Sequence, residues 1–201
     1  MNLMRHLVVM SKAPRMGRVK TRLARDIGLV KAWAFHRRTL FETARSLKDP
    51  RWRCWLSATP DQSIFKTHMW PTGWDRLAQG GGDLGARMLR PWRDLPPGPV
   101  VIVGSDIPGI TAQHIAAAFE ALGENDLVFG PATDGGYWLV GAKRRPRVID
   151  PFHDEKGGSV RWSTEHALAD TLANAPDSAK IGFVETLSDV DRAKDLKRGV
   201  P

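Results

Sequence analysis

A loop near the start of the chain carries six basic residues and no acidic one: Lys12, Arg15, Arg18, Lys20, Arg22 and Arg25. Gly17 allows the backbone of this loop to approach a ligand closely. A helix that begins near Val19 would direct its N–H groups and its positive dipole end at an anion. Lys20 and Arg22 would add full charges at the same place. The loop therefore predicts a phosphate site, although a solvated basic surface explains the same charges.

A second stretch, GSDIPG at 104–109, holds a carboxylate directly after an apolar run. Thr111 lies closer to the helix that follows and can cap it, which leaves Asp106 available for a ligand. Mg²⁺ and Mn²⁺ take one or two carboxylates together with phosphate oxygens and water. We therefore expect Asp106 to bind a divalent cation. The second ligand is predicted to be Asp191 rather than Asp189, which can equally cap the last helix.

A third stretch, PATDGGYW, brings Asp134 to the mouth of another apolar run. The two glycines after it let a ligand lie close to the backbone. In this setting Asp134 would be a polar contact or a general base for an acceptor. An ordinary Asp-Gly turn between two strands accounts for the same dipeptide.

Other site signatures are missing from the sequence. The six histidines show neither HxxxH nor HExxH spacing, which disfavours a zinc site. No GxSxG elbow occurs, so an α/β-hydrolase is disfavoured. The basic loop matches neither the P-loop nor the GxGxxG fingerprint. Cys54 lies within an apolar run and is expected to be a buried residue, not a nucleophile.

Short apolar runs alternate with helical periodicity, which is typical of a sheet built through crossover helices. The predicted strands are residues 6–11, 52–58, 100–104, 126–130, 137–142 and 181–186. The predicted helices lie near Val19, from Trp33 to Leu47, from Leu84 to Trp92, after a Thr111 cap, after a Ser163 or Thr164 cap, and at 189–196. We expect residues 60–99 to be otherwise irregular and 143–158 to be a flexible excursion.

In such sheets, ligands bind beyond the carboxyl ends of the strands. The basic loop, GSDIPG, GPATDGG and SDVD at 188–191 each follow a predicted strand. These four stretches, although separated in sequence, are therefore predicted to meet at one edge of the sheet.

The size and charge of the chain limit the number of domains and the kinds of partner that we expect. Its 201 residues fit one domain, 1–201, and the net charge of +8 favours partners that carry phosphate. Nucleic acid is disfavoured because the charges near the N-terminus sit in one loop and the eight tryptophans are scattered. With one cysteine and an opening apolar run too short for a signal peptide or a membrane span, we expect a soluble, cytoplasmic protein.

Five motifs in fixed order, KAPRMGRVKTRL, QGGGDLGARM, GSDIPGIT, GPATDGGYWLVG and DVDRAKDL, resemble the DUF2064 family of bacterial glycosyltransferase-like proteins. That family is related to the nucleotide-diphospho-sugar transferases of GT-A fold and to the 2-phospho-lactate guanylyltransferases. The resemblance covers about residues 7–197. It implies a single-domain, GT-A-like α/β fold with a mixed, mostly parallel sheet sandwiched by helices.

The resemblance also implies roles for individual residues. The phosphate loop would contain Lys12, Gly17, Lys20 and Arg22, and the metal aspartate would be Asp106. The residues expected near the nucleotide are Gln79, Asp83, Gly85 and Arg87. Met16 stands where many relatives carry proline, which loosens the loop and leaves its basic residues in register. The opening LAAGxGxR of sugar-1-phosphate nucleotidylyltransferases is missing, which disfavours that subgroup.

Together these residues predict a metal-dependent transferase that uses Mg²⁺ or Mn²⁺ and passes part of a nucleotide-activated donor to a small-molecule acceptor. The first hypothesis is a glycosyltransferase that acts on a nucleotide sugar and releases a nucleoside diphosphate. The alternative is a nucleotidyltransferase that acts on a nucleoside triphosphate and releases pyrophosphate. A third class, a nucleotide-binding or nucleic-acid-binding protein without catalysis, predicts neither product. The sequence carries no signal for the base, the sugar, the acceptor or the oligomeric state.

Overall fold

The computed structural model describes residues 3–153 and 159–188, and within these ranges seven strands form one sheet. The strands are β1 (Arg5–Lys12), β2 (Trp52–Thr59), β3 (Asp75–Ala78), β4 (Val100–Gly104), β5 (Leu127–Pro131), β6 (Tyr137–Ala142) and β7 (Ile181–Phe183). Their order across the sheet is β3-β2-β1-β4-β6-β5-β7. Strand β6 runs antiparallel to β4 and β5, and the other neighbouring pairs are parallel. The mixed, mostly parallel sheet is therefore confirmed.

The α-helices of the described ranges are α1 (Thr21–Ile27), α2 (Leu29–Ser46), α3 (Leu84–Asp94), α4 (Ala112–Ala121) and α5 (Ala167–Ala173). Successive residues of β1 point to opposite faces of the sheet, as the twofold period of a strand requires. Leu7 packs in the core that includes residues of α2 and α4, whereas Val8 packs in the core that includes residues of α3. Helices therefore cover both faces, and the parallel strands bring their following loops to one edge.

Strands β1 and β4 form because their apolar runs are buried on both faces, which is typical of parallel strands inside a sheet. Helix α4 begins after Thr111, as predicted, and the Thr111 N–H donates to Nδ1 of His114 at 3.0 Å. Helix α1 begins at Thr21, two residues after the predicted start near Val19, and Gly28, with φ of 87°, separates it from α2. Cys54 is buried, as expected.

The prediction that residues 60–99 are irregular outside one helix was wrong for Asp75–Ala78. These residues form the edge strand β3, which pairs with β2 only on one side. The sequence DRLA is short, has no β-branched residue and stays partly exposed, so its pattern does not indicate a strand. Pairing with β2 forms it instead. The short helix predicted from Leu84 is confirmed as α3.

Two expectations near the C-terminal end also need correction. Helix α5 is preceded by His166 and not capped by Ser163 or Thr164, because the Thr164 hydroxyl accepts from the His166 N–H in a turn before the helix. Strand β7 ends at Phe183, although Leu187 still forms an isolated bridge with Ala132. The predicted helix at 189–196, with Asp189 and Asp191, lies outside the described residues.

The described part of the predicted flexible excursion, residues 143–153, is anchored to the fold. The Arg144 guanidinium donates to three carbonyl oxygens, those of Leu95, Pro96 and Gly98. Phe152 is buried, and its ring centroid lies 5.1 Å from that of Trp92. Between residues 143 and 153 the chain is therefore irregular, exposed at 145–147 and anchored to the fold at Arg144 and Phe152.

Among the described residues, no helix combines the length and the apolar character needed to cross a lipid bilayer.

Candidate active-site cleft

A cleft with two connected halves lies at the edge where the loops after β1, β4 and β5 meet. The first half, here called the cationic half, has a volume of about 440 Å³ and includes Lys12, Lys20, Arg22 and Arg87 in its lining. The second half, here called the apolar half, has a volume of about 380 Å³ and includes Leu84, Met88, Asp134, Tyr137 and Trp162. The two volumes form one site, because five residues line both halves: Met10, Arg22, Leu84, Asp106 and Ser163.

Lys20 and Asp106 meet in the cationic half, although 86 positions separate them in the chain. The Lys20 ammonium donates to Oδ2 of Asp106 at 2.6 Å, and the two side chains are 7% and 32% exposed. Lys20 is the N-cap residue of α1 and has a left-handed backbone with φ of 46°. The basic loop and the GSDIPG loop therefore face a common cleft, and the chemical roles of both residues stay predictions.

The other basic residues of the predicted phosphate loop are distributed unevenly. Lys12 and Arg22 line the cationic half, whereas Gly17, with φ of 73°, is not among the lining residues. Arg87 approaches from α3, and its Nε donates to the Gly82 carbonyl at 3.0 Å. Cations that converge from two segments on one cleft raise the local concentration of anions.

Buried polar side chains form the floor beneath these cations. Ser105 donates a hydrogen bond to the Ser11 hydroxyl at 3.0 Å and so ties the end of β1 to the loop after β4. His36 of α2 lies with Nε2 at 3.0 Å from the Lys12 carbonyl. Burial lowers the pKa of His36, so its neutral ring can donate to that carbonyl. Sequence reasoning missed His36, and its signal was a polar residue on the apolar face of α2.

Two polar residues of QGGGDLGARM, the amide Gln79 and the acid Asp83, make hydrogen bonds within the fold. Gln79 is buried in the wall of the cationic half, and its Nε2 donates to the Ser57 carbonyl at 2.8 Å. Oδ1 of Asp83 accepts from the Ala86 N–H at 2.8 Å and caps α3, and this bond lowers the pKa of Asp83. Asp83 is not among the residues that line either half. Nucleotide contacts by Gln79 and Asp83 stay predictions.

Asp134 lines the apolar half from the loop between β5 and β6. The side chain is exposed, and Oδ1 accepts from the Gly136 N–H at 3.0 Å, which holds the carboxylate in a local turn. Tyr137 follows it, and burial raises the pKa of its hydroxyl, which excludes Tyr137 as a base near neutral pH. The carboxylate of Asp134 is therefore exposed in the apolar half, and its contact with an acceptor stays a prediction.

Comparison with protein families identifies the chain. The DUF2064 family, described as an uncharacterized protein conserved in bacteria, matches residues 41–164, which is more than half of the 201 residues. The chain belongs to the DUF2064 family. No curated protein matches it significantly.

Solved structures share the fold of the DUF2064 chain. A protein from Desulfovibrio desulfuricans G20, provisionally described as a nucleotide-diphospho-sugar transferase, is 25% identical with a TM-score of 0.79 over 94% of this chain and 82% of its own. The 4-diphosphocytidyl-2C-methyl-D-erythritol synthase of Anaerococcus prevotii DSM 20548 is 9% identical with a TM-score of 0.55 over 98% and 96%. Glucosyl-3-phosphoglycerate synthase of Mycobacterium tuberculosis, solved with Mn²⁺, UDP and glucosyl-3-phosphoglycerate, is 11% identical with a TM-score of 0.54 over 97% and 75%. The chain thus has the fold of the nucleotide-diphospho-sugar transferases and nucleotidyltransferases.

The donor set of the DUF2064 chain fits one kind of metal site. Among residues 3–153 and 159–188, no three histidine, cysteine or acidic side chains are grouped so that they could hold an ion. Of the described residues that line both halves, Asp106 is the one with a carboxylate, and that carboxylate is partly exposed. One carboxylate suits Mg²⁺ or Mn²⁺ shared with the phosphates of a bound nucleotide, and it does not suit a protein cage. The proposed second ligand, Asp191, lies outside the described residues.

The loop of Asp134 makes a close backbone contact that a side chain would break. Gly135 has φ of 86°, and a Cβ added there would lie 2.2 Å from the Glu165 carbonyl oxygen. We expect Gly135→Ala to lower the free energy of unfolding by about 3 kcal/mol, through a strained backbone and overpacking. Gly109→Ala is the matched control, because φ there is 80° and a Cβ would meet nothing within 4 Å. Denaturant unfolding of both variants measures the difference, and equal losses would contradict the contact.

Proposed function

We propose that this DUF2064 protein is a glycosyltransferase that transfers a sugar from a nucleotide sugar to a small-molecule acceptor. The observation that supports the proposal is the Lys20–Asp106 pair, which lies where a cationic volume joins an apolar one. A nucleotide sugar would match this arrangement, because its diphosphate needs cations and its sugar needs a neighbouring space in which to meet an acceptor.

In this proposal the diphosphate binds in the cationic half. Lys12, Lys20, Arg22 and Arg87 supply positive charge to it. Negative charge builds on the diphosphate oxygen as its bond to the sugar breaks. Cations fixed near this oxygen lower the energy barrier of the reaction. The partly buried position of the Lys20 ammonium strengthens its interaction with the leaving group because bulk water screens it less.

Asp106 would hold the divalent cation, with Asp191 as the proposed second ligand. When bound, Mg²⁺ or Mn²⁺ supplies further neutralisation of the diphosphate. Lys20 donates to one oxygen of Asp106, and in the proposal this bond would fix the carboxylate while its other oxygen holds the cation.

Asp134 would act on the acceptor from the apolar half. Its carboxylate accepts the proton of the acceptor hydroxyl while that oxygen forms a bond to the anomeric carbon. The bond from the anomeric carbon to the diphosphate oxygen breaks, and the nucleoside diphosphate leaves. The turn bond from Gly136 to Asp134 keeps the carboxylate at this position.

A product assay tests the proposal. The protein is incubated with Mn²⁺ and a panel of UDP- and GDP-sugars in one arm and nucleoside triphosphates in the other, with simple alcohols and sugars as acceptors. We expect release of a nucleoside diphosphate from the first arm, and chelation with EDTA abolishes it. Release of pyrophosphate in the second arm would contradict the glycosyltransferase and support a nucleotidyltransferase. If neither product forms, and no nucleotide raises the midpoint of thermal unfolding in the presence of metal, both the glycosyltransferase and the nucleotidyltransferase are contradicted.

A further inference from the structure

An indole forms one wall of the apolar half. Trp162 is partly buried there, and its ring centroid lies 6.1 Å from that of Phe152. Gly85 lies beneath the indole, where an added Cβ would come within 3.0 Å of Trp162 Cζ2. The first turn of α3 and the segment at 159–166 are therefore packed together so closely that the indole has a defined position.

Asp83 makes two contacts with its two carboxylate oxygens. Oδ1 caps α3 by accepting from the Ala86 N–H, and Oδ2 accepts from Trp162 Nε1 at 3.3 Å. His153 also approaches this carboxylate, with Nε2 at 3.5 Å from Oδ1. One side chain thus fixes both the start of α3 and the orientation of the indole, and neither task requires a nucleotide.

The rest of the apolar half has a mixed lining, in which apolar side chains lie beside Arg22, Asp106, Asp134, Ser163 and Thr164. Met10, Leu84 and Tyr137 line it, and Leu84 is 41% exposed although it is a large apolar side chain. A small polyol without an apolar face could reach the polar groups here, but it would leave the indole and the apolar side chains beside it exposed to water and so would gain nothing from apolar burial. A ligand with one flat apolar face would bury that face against the indole and keep its hydroxyl toward Asp134.

We propose that the acceptor binds the apolar half through a flat apolar face stacked on Trp162, and that Asp83 is a positioning residue that orients this indole. The inference rests on the proposed transferase function and adds the chemical class of its acceptor. Such a face is either an aromatic ring or the C–H face of a pyranose. The experiment separates these two sources.

The first test uses three hydroxyl compounds: benzyl alcohol, methyl β-D-glucopyranoside and glycerol. Saturation-transfer NMR on the protein without donor reports binding of each. We expect signal from benzyl alcohol, from the glucoside or from both, and none from glycerol. Trp162→Ala should abolish that signal, Trp162→Phe should retain it, and Trp55→Phe, at an indole that lines neither half, should leave it unchanged. No signal from either flat compound, or signal that survives Trp162→Ala, would overturn the proposal.

The second test uses whichever flat compound is turned over in the product assay. We expect Trp162→Ala to raise its KM about tenfold with kcat changed less than about twofold, as for loss of a stacking contact. Trp162→Phe should stay within about threefold, because the aromatic face is kept. A donor KM that rises while the acceptor KM does not would assign the indole to the donor sugar and reject the acceptor site.

Asp83→Asn tests the positioning role separately. Asparagine caps a helix as well as aspartate, so α3 should be retained, but its NH₂ group would face the indole N–H. We expect the acceptor KM to rise about threefold to tenfold. A change confined to the donor dissociation constant would instead support the predicted nucleotide contact of Asp83 and overturn its positioning role. In the Trp162→Phe background, which has no indole N–H, Asp83→Asn should add nothing. An equal effect in both backgrounds would overturn the positioning role.

The two proposals fail in different ways. A protein that binds no nucleotide disproves the transferase, while the saturation-transfer experiment still reports on the apolar half. A transferase that shows no effect of Trp162→Ala on acceptor binding retains its function and loses only this inference.

Discussion

Asp106→Asn should reduce kcat about a hundredfold or more, because it removes the negative charge that holds the proposed cation and orients Lys20. Asparagine has the same shape, and its amide oxygen can still accept from the Lys20 ammonium, which lies 2.6 Å from Oδ2 in the native chain. The fold should therefore be kept, with the midpoint of thermal unfolding shifted by no more than about 4 °C. Diphosphate release and circular dichroism on the same preparation measure both quantities.

Asp75→Asn is the matched control for this substitution. Asp75 is an exposed carboxylate of edge strand β3, pairs with Arg53 at 2.7 Å and lines neither half of the cleft. Loss of an exposed ion pair changes stability by about 1 kcal/mol at most, so its kcat should equal that of the native protein. An Asp106→Asn variant with native turnover would remove Asp106 from the mechanism. A similar loss in both variants would indicate a general effect of charge.

The central part of the fold was predictable because its strands are apolar on both faces. β1 and β4 lie within one residue of their predicted bounds, since each apolar run is buried between two helical layers. The Thr111 cap was equally local, because it depends on one side chain before an apolar helical pattern. Features set within a few residues of sequence were found for this reason.

Features that depend on a partner elsewhere in the fold were missed. β3 exists because β2 offers an unpaired edge, and the start of α5 depends on a turn in which the Thr164 hydroxyl accepts from the His166 N–H. The 143–158 segment was expected to be flexible because it is basic and then Gly-rich. Arg144 anchors it through carbonyl groups that are 46 to 49 positions away in sequence.

In the candidate site, too, some features follow from the sequence and others depend on tertiary packing. Parallel strands require their following loops to share an edge, so the meeting of Lys20 with Asp106 and the nearness of Asp134 could be anticipated. His36 and Trp162 enter the cleft from a helix and from an irregular segment, and only tertiary packing directs them there. Asp83 was predicted from its motif to approach a nucleotide, and its described contacts are with a helix end and an indole.

Lys20→Met should lower kcat about a hundredfold and raise the donor KM about tenfold, since it removes a charge aimed at the diphosphate in both the ground state and the transition state. Methionine is unbranched at Cβ and close to lysine in length, so it can fill the same volume beneath Asp106. Lys143→Met is the control, because Lys143 lies beyond β6 at the opposite edge of the sheet and donates to the Gly123 carbonyl at 3.2 Å.

Combining the two cleft substitutions makes the strongest test of the shared site. Lys20 and Asp106 are in contact and act on one diphosphate, so the loss in Asp106→Asn/Lys20→Met should be much smaller than the product of the two single losses. Steady-state kinetics with varied donor gives kcat and KM for the four members of the cycle. If the loss of kcat in the double variant equals the product of the two single losses, the two residues act independently. The ion pair would then be only a structural contact in the cleft.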